Sequence, residues 1–152
     1  MGWLELKVPP PFVLLIVALF MWLVNHLMGG AFAPRLVFFA GIETMAIGFA
    51  VAVKGLITLR RNRTTPSPIM IDRAKKLVTT GLYQISRNPM YLGMVIFLIG
   101  WTLLLGNLWL LAGPLAFALY VNRFQIAPEE RMMTTKFGAN YAAYKNRVRR
   151  WI

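Results

Sequence analysis

Residues whose types could do chemistry at the edge of an apolar segment stand in two short stretches of this chain: Gly81-Leu-Tyr-Gln-Ile-Ser-Arg-Asn-Pro-Met-Tyr-Leu-Gly93 and, beyond a long uncharged run, Pro128-Glu-Glu-Arg131. Arg87, Asn88, Glu129 and Glu130 stand at the mouths of apolar segments, where a polar group is costly unless it finds a partner or a ligand. Two arrangements satisfy that requirement: the arginine and the carboxylates pair with one another, or together they recognise a polar molecule. Pro89 adds a helix start, because its missing N–H costs least in a first turn, and the free N–H groups there favour an anion. The inventory also excludes chemistry. With no cysteine there is no thiol nucleophile, disulfide framework or thiolate metal site. His26 is the only histidine, and one histidine does not make a metal site.

The elements that must position these residues are membrane spans. The chain has 152 residues, one domain's worth, of which 58% are hydrophobic and 14% charged, far from a soluble balance. No Lys, Arg, Asp or Glu occurs from 8 to 34, only Glu43 from 36 to 53, and none from 88 to 122. The last run is long enough to cross a bilayer twice at about 20 residues per crossing. An all-α bundle of four spans is expected, over about 11–28, 34–59, 90–105 and 108–122, with a cytoplasmic loop at 60–89 and a tail helix at 129–145. The first run lacks a small-x-small cleavage pattern and is kept as a span. Gly29-Gly30 would end the first helix and Gly106-Asn107 would join the last two, with Pro114 a candidate kink. The two prolines at 66 and 68 argue for an extended connection.

A net charge of +12 would suggest nucleic acid in a soluble protein, but its distribution argues otherwise. Apart from Lys7 and Arg35, the basic residues fall from Lys54, at the end of the second span, to Arg87 ahead of the third, and after the fourth. The connections at 29–35 and 106–107 carry almost none. By the positive-inside rule both basic segments and both termini are cytoplasmic, where they also suit anionic lipid headgroups.

After Pro128 the pattern becomes amphipathic. Glu130, Met133, Phe137, Tyr141 and Tyr144 recur at spacings of three and four, forming one stripe. The aromatic part is expected to lie in lipid. Glu130, a carboxylate in line with that stripe, should face a partner in the Arg87 segment. Glu43, about nine residues into the second span, is expected to pair with His26 or Arg35, and Gly41 and Gly48 to serve as small packing positions although the five-residue glycine motif is absent.

Two blocks resemble the membrane methyltransferases that include isoprenylcysteine carboxyl methyltransferases and phosphatidylethanolamine N-methyltransferases. Gly81-Leu-Tyr83 followed by Arg87-Asn-Pro-Met-Tyr-Leu-Gly93 is similar to the family's Gly-x-Tyr, then Arg, His or Asn, and Pro-x-Tyr-x-Gly, with Gly100-Trp101 echoing a later Gly-Trp. Glu129-Glu130, Phe137-Gly138, Tyr141, Tyr144-Lys145, Arg147 and Val148 resemble the tail of the prenylcysteine enzymes. The resemblance covers the C-terminal half; the first two spans match only in kind.

What the resemblance implies is a pocket for S-adenosylmethionine at the cytoplasmic membrane face, with S-adenosylhomocysteine as product and a lipophilic acceptor arriving from the bilayer. Carried over by position, Tyr83, Asn88, Pro89, Tyr91, Gly93 and Glu130 would bind the cofactor, and Arg87, Glu129 and Arg123 would serve the reacting groups. Asn88 takes the place of a frequent histidine, and Arg87 or the N–H groups after Pro89 would hold the cofactor carboxylate. The alternative for Arg87 is pairing with Glu129 or Glu130 simply to tie the tail helix down. Where prenylcysteine enzymes carry an arginine, about five residues before the second glutamate, this chain has Gln125. The acceptor therefore stays open among a lipid amine, a small thiol and a lipophilic carboxylate. Membrane lipids are the expected partners, with no nucleic acid and no metal. Competing readings are a nicotinamide-dependent reductase related to sterol reductases, and a non-catalytic membrane protein that kept the fold.

Overall fold

The computed structural model describes residues 5–30, 33–62 and 77–152, and among them the fold is all-helical. Five α-helices run in chain order: α1 Pro10–Leu27, α2 Arg35–Arg61, α3 Pro89–Leu105, α4 Ala112–Val121 and α5 Ala127–Arg147. Short 3-10 helices at Gly81–Gln84 and Leu108–Leu111 lead into α3 and α4, and a π turn at Asn122–Ile126 joins α4 to α5. Among the described residues three helices are long and apolar enough to cross a membrane: α1, α2 and the composite run Leu108–Arg147; α3 is apolar but has only 17 residues. The proline-containing connection expected at 66 and 68 lies outside the described residues.

Local chemistry explains the helix ends. Pro10 opens α1 and Pro89 opens α3 at their first positions. Gly106 closes α3 at φ 68°, the left-handed conformation that glycine takes without a steric penalty, and Asn107 caps the next turn by accepting from the Trp109 N–H at 3.2 Å. The expected hairpin is therefore present. Pro114 lies in the first turn of α4, where a proline is tolerated. The irregularity falls later, at the π turn just ahead of Pro128, and the chain stays helical through that proline.

Packing centres on α3, which touches α1, α2 and α4. Its contact with α2 is a glycine seam of period seven. A Cβ on Gly48 would meet the Phe97 nitrogen at 2.5 Å and the Gly93 oxygen at 2.6 Å, and one on Gly41 or Gly100 would likewise strike the opposite backbone. Gly41, Gly48 and Gly55 thus oppose Gly100, Gly93 and the first turn of α3, and the antiparallel backbones touch directly. Without a hydrophobic drive in lipid, such close van der Waals approach is what holds helices together. The core of Met21, Leu98, Leu105, Phe117, Val121 and Ile126 fills the other side of α3.

Two expectations are corrected. Glu43 is exposed and pairs with neither His26 nor Arg35: His26 stacks on Trp22 with ring centroids 5.6 Å apart, and Arg35 lies over Phe39. The reason is rotation, since Gly41 and Gly48 face α3 and turn position 43 outward. The aromatic stripe of α5 does not lie free for lipid either. Tyr141 and Tyr144 are buried with Val148 against Leu77, Met133 and Phe137, and the Tyr144 hydroxyl donates to the Tyr83 carbonyl at 2.7 Å. Gly138, at φ 50° and ψ −123°, breaks the helix within that stripe.

Candidate active site

Three segments converge at the end of the bundle where α3 begins. The first is Ser86-Arg87-Asn88 ahead of α3; the second is Glu129-Glu130 in the first turn of α5; the third, unforeseen, is the extended tail Val148-Arg149-Arg150-Trp151 folded back between them. Its backbone carries the recognition. The Arg87 N–H donates to the Arg149 carbonyl at 3.0 Å, and the Asn88 amide and Ser86 hydroxyl donate to the Arg150 carbonyl at 3.0 and 3.4 Å. The Ser86 hydroxyl also accepts from the Asn88 N–H at 3.1 Å.

The charged centre is a triad. Arg87 Nη2 lies 2.8 Å from Glu130 Oε1, with the two side chains 10% and 11% exposed. Arg150 grips the same carboxylate twice, Nη2 to Oε2 at 2.6 Å and Nε to Oε1 at 3.2 Å, and its Nη1 donates to the Asn122 side-chain oxygen of the π turn at 2.8 Å. Two guanidiniums on one carboxylate leave a net positive charge. Arg87 Nε is moreover buried with no acceptor among the described residues. A donor so placed is costly unless a ligand or water completes it.

Beside the triad stands a carboxylate of a different kind. Glu129 Oε1 accepts from the Tyr91 hydroxyl at 2.6 Å and makes no ion pair among the described residues. Burial pushes its carboxyl up to about 7, with the Tyr91 hydrogen bond opposing and neighbouring Glu130 adding to the rise. Tyr83 is buried next to it, its phenol held above the ordinary range by burial first and by Tyr144 and Glu129 after that. Tyr144 is pushed up to about 12 by burial, against the lowering pull of Arg87 and Arg147. A net cationic cluster, an uncompensated carboxylate and a wall of neutral phenols form a dipolar site with an apolar side.

The structure thus brings together Tyr83, Arg87, Asn88, Tyr91, Glu129 and Glu130, with Pro89 buried beneath them as the start of α3. Two expected residues fall elsewhere. Gly93 faces α2, where a Cβ would meet the Ala52 nitrogen and the Gly48 oxygen at 2.5 Å. Arg123, 61% exposed, is bound to Glu5 at 3.1 Å, and the π turn shifts the seven-residue spacing that would have aligned it with Glu130. Arg150 is the residue that sequence reasoning missed. It lies beyond the periodic stripe, so the helical pattern gave no sign of its return to the site.

Residues 36–140 match the model of the Phospholipid methyltransferase family. An uncharacterised protein of Haemophilus influenzae is 48% identical over 63 residues, 41% of this chain and the whole of that protein. Protein-S-isoprenylcysteine O-methyltransferase B of Arabidopsis thaliana is 34% identical over 111 residues, 71% of this chain and 55% of the relative. The Schizosaccharomyces pombe protein-S-isoprenylcysteine O-methyltransferase is 30% identical over 118 residues, 72% of this chain and 49% of the relative. The chain therefore spans about half the length of these two named relatives. No solved structure matches it. The two sequence blocks, the helical bundle with its membrane-length apolar helices and the family match agree: this chain is a membrane protein of the phospholipid methyltransferase family.

Proposed function

We propose that the chain is a multi-pass methyltransferase that uses S-adenosylmethionine and acts on a lipid or lipophilic acceptor. Its single domain would cross the membrane four times, α3 included, with both termini and the site on the cytoplasmic side, as the basic loop and tail argue. The fourth crossing would end at the π turn, leaving Glu129 and Glu130 at the water edge.

The observation that supports this reading best is the buried Arg87 Nε–H, a donor without an acceptor among the described residues, beside a net positive triad. A methionine-type end bears a carboxylate and an ammonium close together. Arg87 and Arg150 suit the first, and Glu129, with no cation of its own, suits the second. Glu130, which already accepts three hydrogen bonds from arginines, is assigned to orienting them rather than to the ammonium. Tyr83 and Tyr91 would pack around the nucleoside.

S-adenosylmethionine, when bound, supplies a methyl group on a positively charged sulfur that is already electrophilic. What remains for the chain is to hold donor and acceptor in line and keep water out. The triad anchors one end, and the buried Tyr83, Tyr141 and Tyr144 close the aqueous side. The acceptor would enter from the bilayer between helices flanking the pocket, because the signature begins α3 while the glutamates follow α4.

Calorimetry on purified protein tests the reading. S-adenosylhomocysteine should bind, and binding should be lost in Arg87→Gln. Binding of a reduced nicotinamide in place of either adenosyl ligand at millimolar concentration would overturn it in favour of a reductase.

A further inference from the structure

Residues 5–8, ahead of α1, form a strap across the junction of α4 and α5. Pro128 has no N–H, so the carbonyl four residues earlier, that of Phe124, loses its helical donor. The Leu6 N–H supplies one at 3.0 Å. Gln125, fully buried, donates through Nε2 to the Val8 carbonyl at 2.8 Å. Glu5, whose side chain is 5% exposed, gives one carboxylate oxygen to Arg123 Nη1 at 3.1 Å and the other to Arg131 Nη2 at 2.7 Å. Leu6 holds φ 60°, a conformation that a leucine keeps only where surrounding contacts determine it.

The strap lies across the hinge of the site. A π turn followed by a proline is a weak place between α4 and α5, because the hydrogen-bond ladder is interrupted there. Arg123 precedes Glu129-Glu130 and Arg131 follows them, so a carboxylate bridging the two arginines spans the residues that face Tyr91, Arg87 and Arg150. Asn122, immediately before Arg123, is itself held by Arg150. We propose that Glu5 is a positioning residue: by bridging Arg123 and Arg131 it sets the angle between the fourth span and the tail helix, and with it the reach of Glu129 and Glu130. The proposal rests on the reading of the site given above, and it assigns Arg123 to the hinge rather than to the reacting groups.

The test uses the absence of cysteine from the chain. Spin labels on Ile57→Cys in α2 and Thr135→Cys in α5 report the distance between the mouth of α2 and the tail helix, with no ligand needed. Glu5→Gln should broaden that distribution, and calorimetry should show S-adenosylhomocysteine bound about fivefold more weakly, the upper range for ion pairs whose arginines are solvent-exposed. The KM for S-adenosylmethionine should rise with kcat retained. Arg131→Gln, which removes one arm of the bridge from the exposed side, should give a smaller change in the same direction, and combining it with Glu5→Gln should add little. An unchanged distance distribution in Glu5→Gln, or in Arg131→Gln where the first variant fails to fold, overturns the positioning role whatever the protein binds. Broadening in a protein that binds no adenosyl ligand at all would keep the hinge and overturn the assigned cofactor instead.

Discussion

Arg150 and Glu130 are joined by two hydrogen bonds, of 2.6 and 3.2 Å, across a gap of twenty residues that contains nearly all of α5. The pair makes the tail after α5 part of the site, because the same arginine reaches Asn122 while its carbonyl accepts from Ser86 and Asn88. A lysine has one point charge and no planar fork, so it cannot hold the carboxylate twice and Asn122 at once. Arg150→Lys and Arg150→Gln should both weaken S-adenosylhomocysteine binding. Loss of a charge-assisted hydrogen bond is worth roughly 1.5 to 3 kcal/mol, about one to two decades in Kd by calorimetry. Wild-type affinity in Arg150→Lys would mean that charge alone suffices.

Glu129 gives binding a pH dependence with a definite sign. Its carboxyl titrates at about 7 in the folded protein, above the ordinary 4.5, so holding an ammonium requires it to lose a proton near neutrality. Affinity for S-adenosylhomocysteine should rise as pH increases from about 5.5 to 7 and level off above, at most tenfold per unit. Stability without ligand should move the other way. Between 4.5 and 7 the folded state holds the proton that the unfolded state has lost, so stability falls as pH rises through that window. Glu129→Gln should flatten both profiles, and a binding profile that survives this substitution would place the ammonium elsewhere.

The centre of the site was legible in the sequence for a physical reason. A carboxylate in line with an apolar stripe must face a partner, and Arg87 is the partner that Glu130 finds. Amphipathicity gives the apolar face of that stripe but not what covers it, and so points to lipid; Tyr83 and Val148 cover it here. The glycine seam was only half visible. Gly41 and Gly48 stood out as small positions, but a search for the five-residue spacing passes over a period of seven. Glu5 and Arg150 lie beyond any periodic signal, since each acts from outside the helices, on a segment whose destination only the tertiary fold sets.

Gly93 separates a packing role from a binding one. Its position against α2 predicts that Gly93→Ala lowers stability, since a Cβ would meet backbone atoms at 2.5 Å that no side-chain rotation can clear. Overpacking of this kind costs about 1 to 3 kcal/mol. Unfolding in denaturing detergent should show that loss, and Gly48→Ala should show a similar one, with the folded fraction still binding S-adenosylhomocysteine. If Gly93→Ala unfolds like the wild type and loses binding, the residue belongs to the site after all.

A fourth crossing would depend on α3, whose 17 residues span about 25 Å against a hydrocarbon core of roughly 30 Å. A helix this short can cross when its neighbours carry the mismatch. Here α2 has 27 residues and packs along α3 through the glycine seam, so the longer helix would hold the shorter one upright. If α3 crosses, the turn at Gly106-Asn107 faces the side opposite the site. Single cysteines introduced at Asn107 and Asn140 check this directly: an impermeant thiol reagent applied to intact cells should label the first and spare the second, and applied to inverted vesicles should do the reverse. Labelling of both from one side would make α3 a re-entrant helix, put the two ends of the bundle in the same compartment, and remove the lateral route proposed for the acceptor.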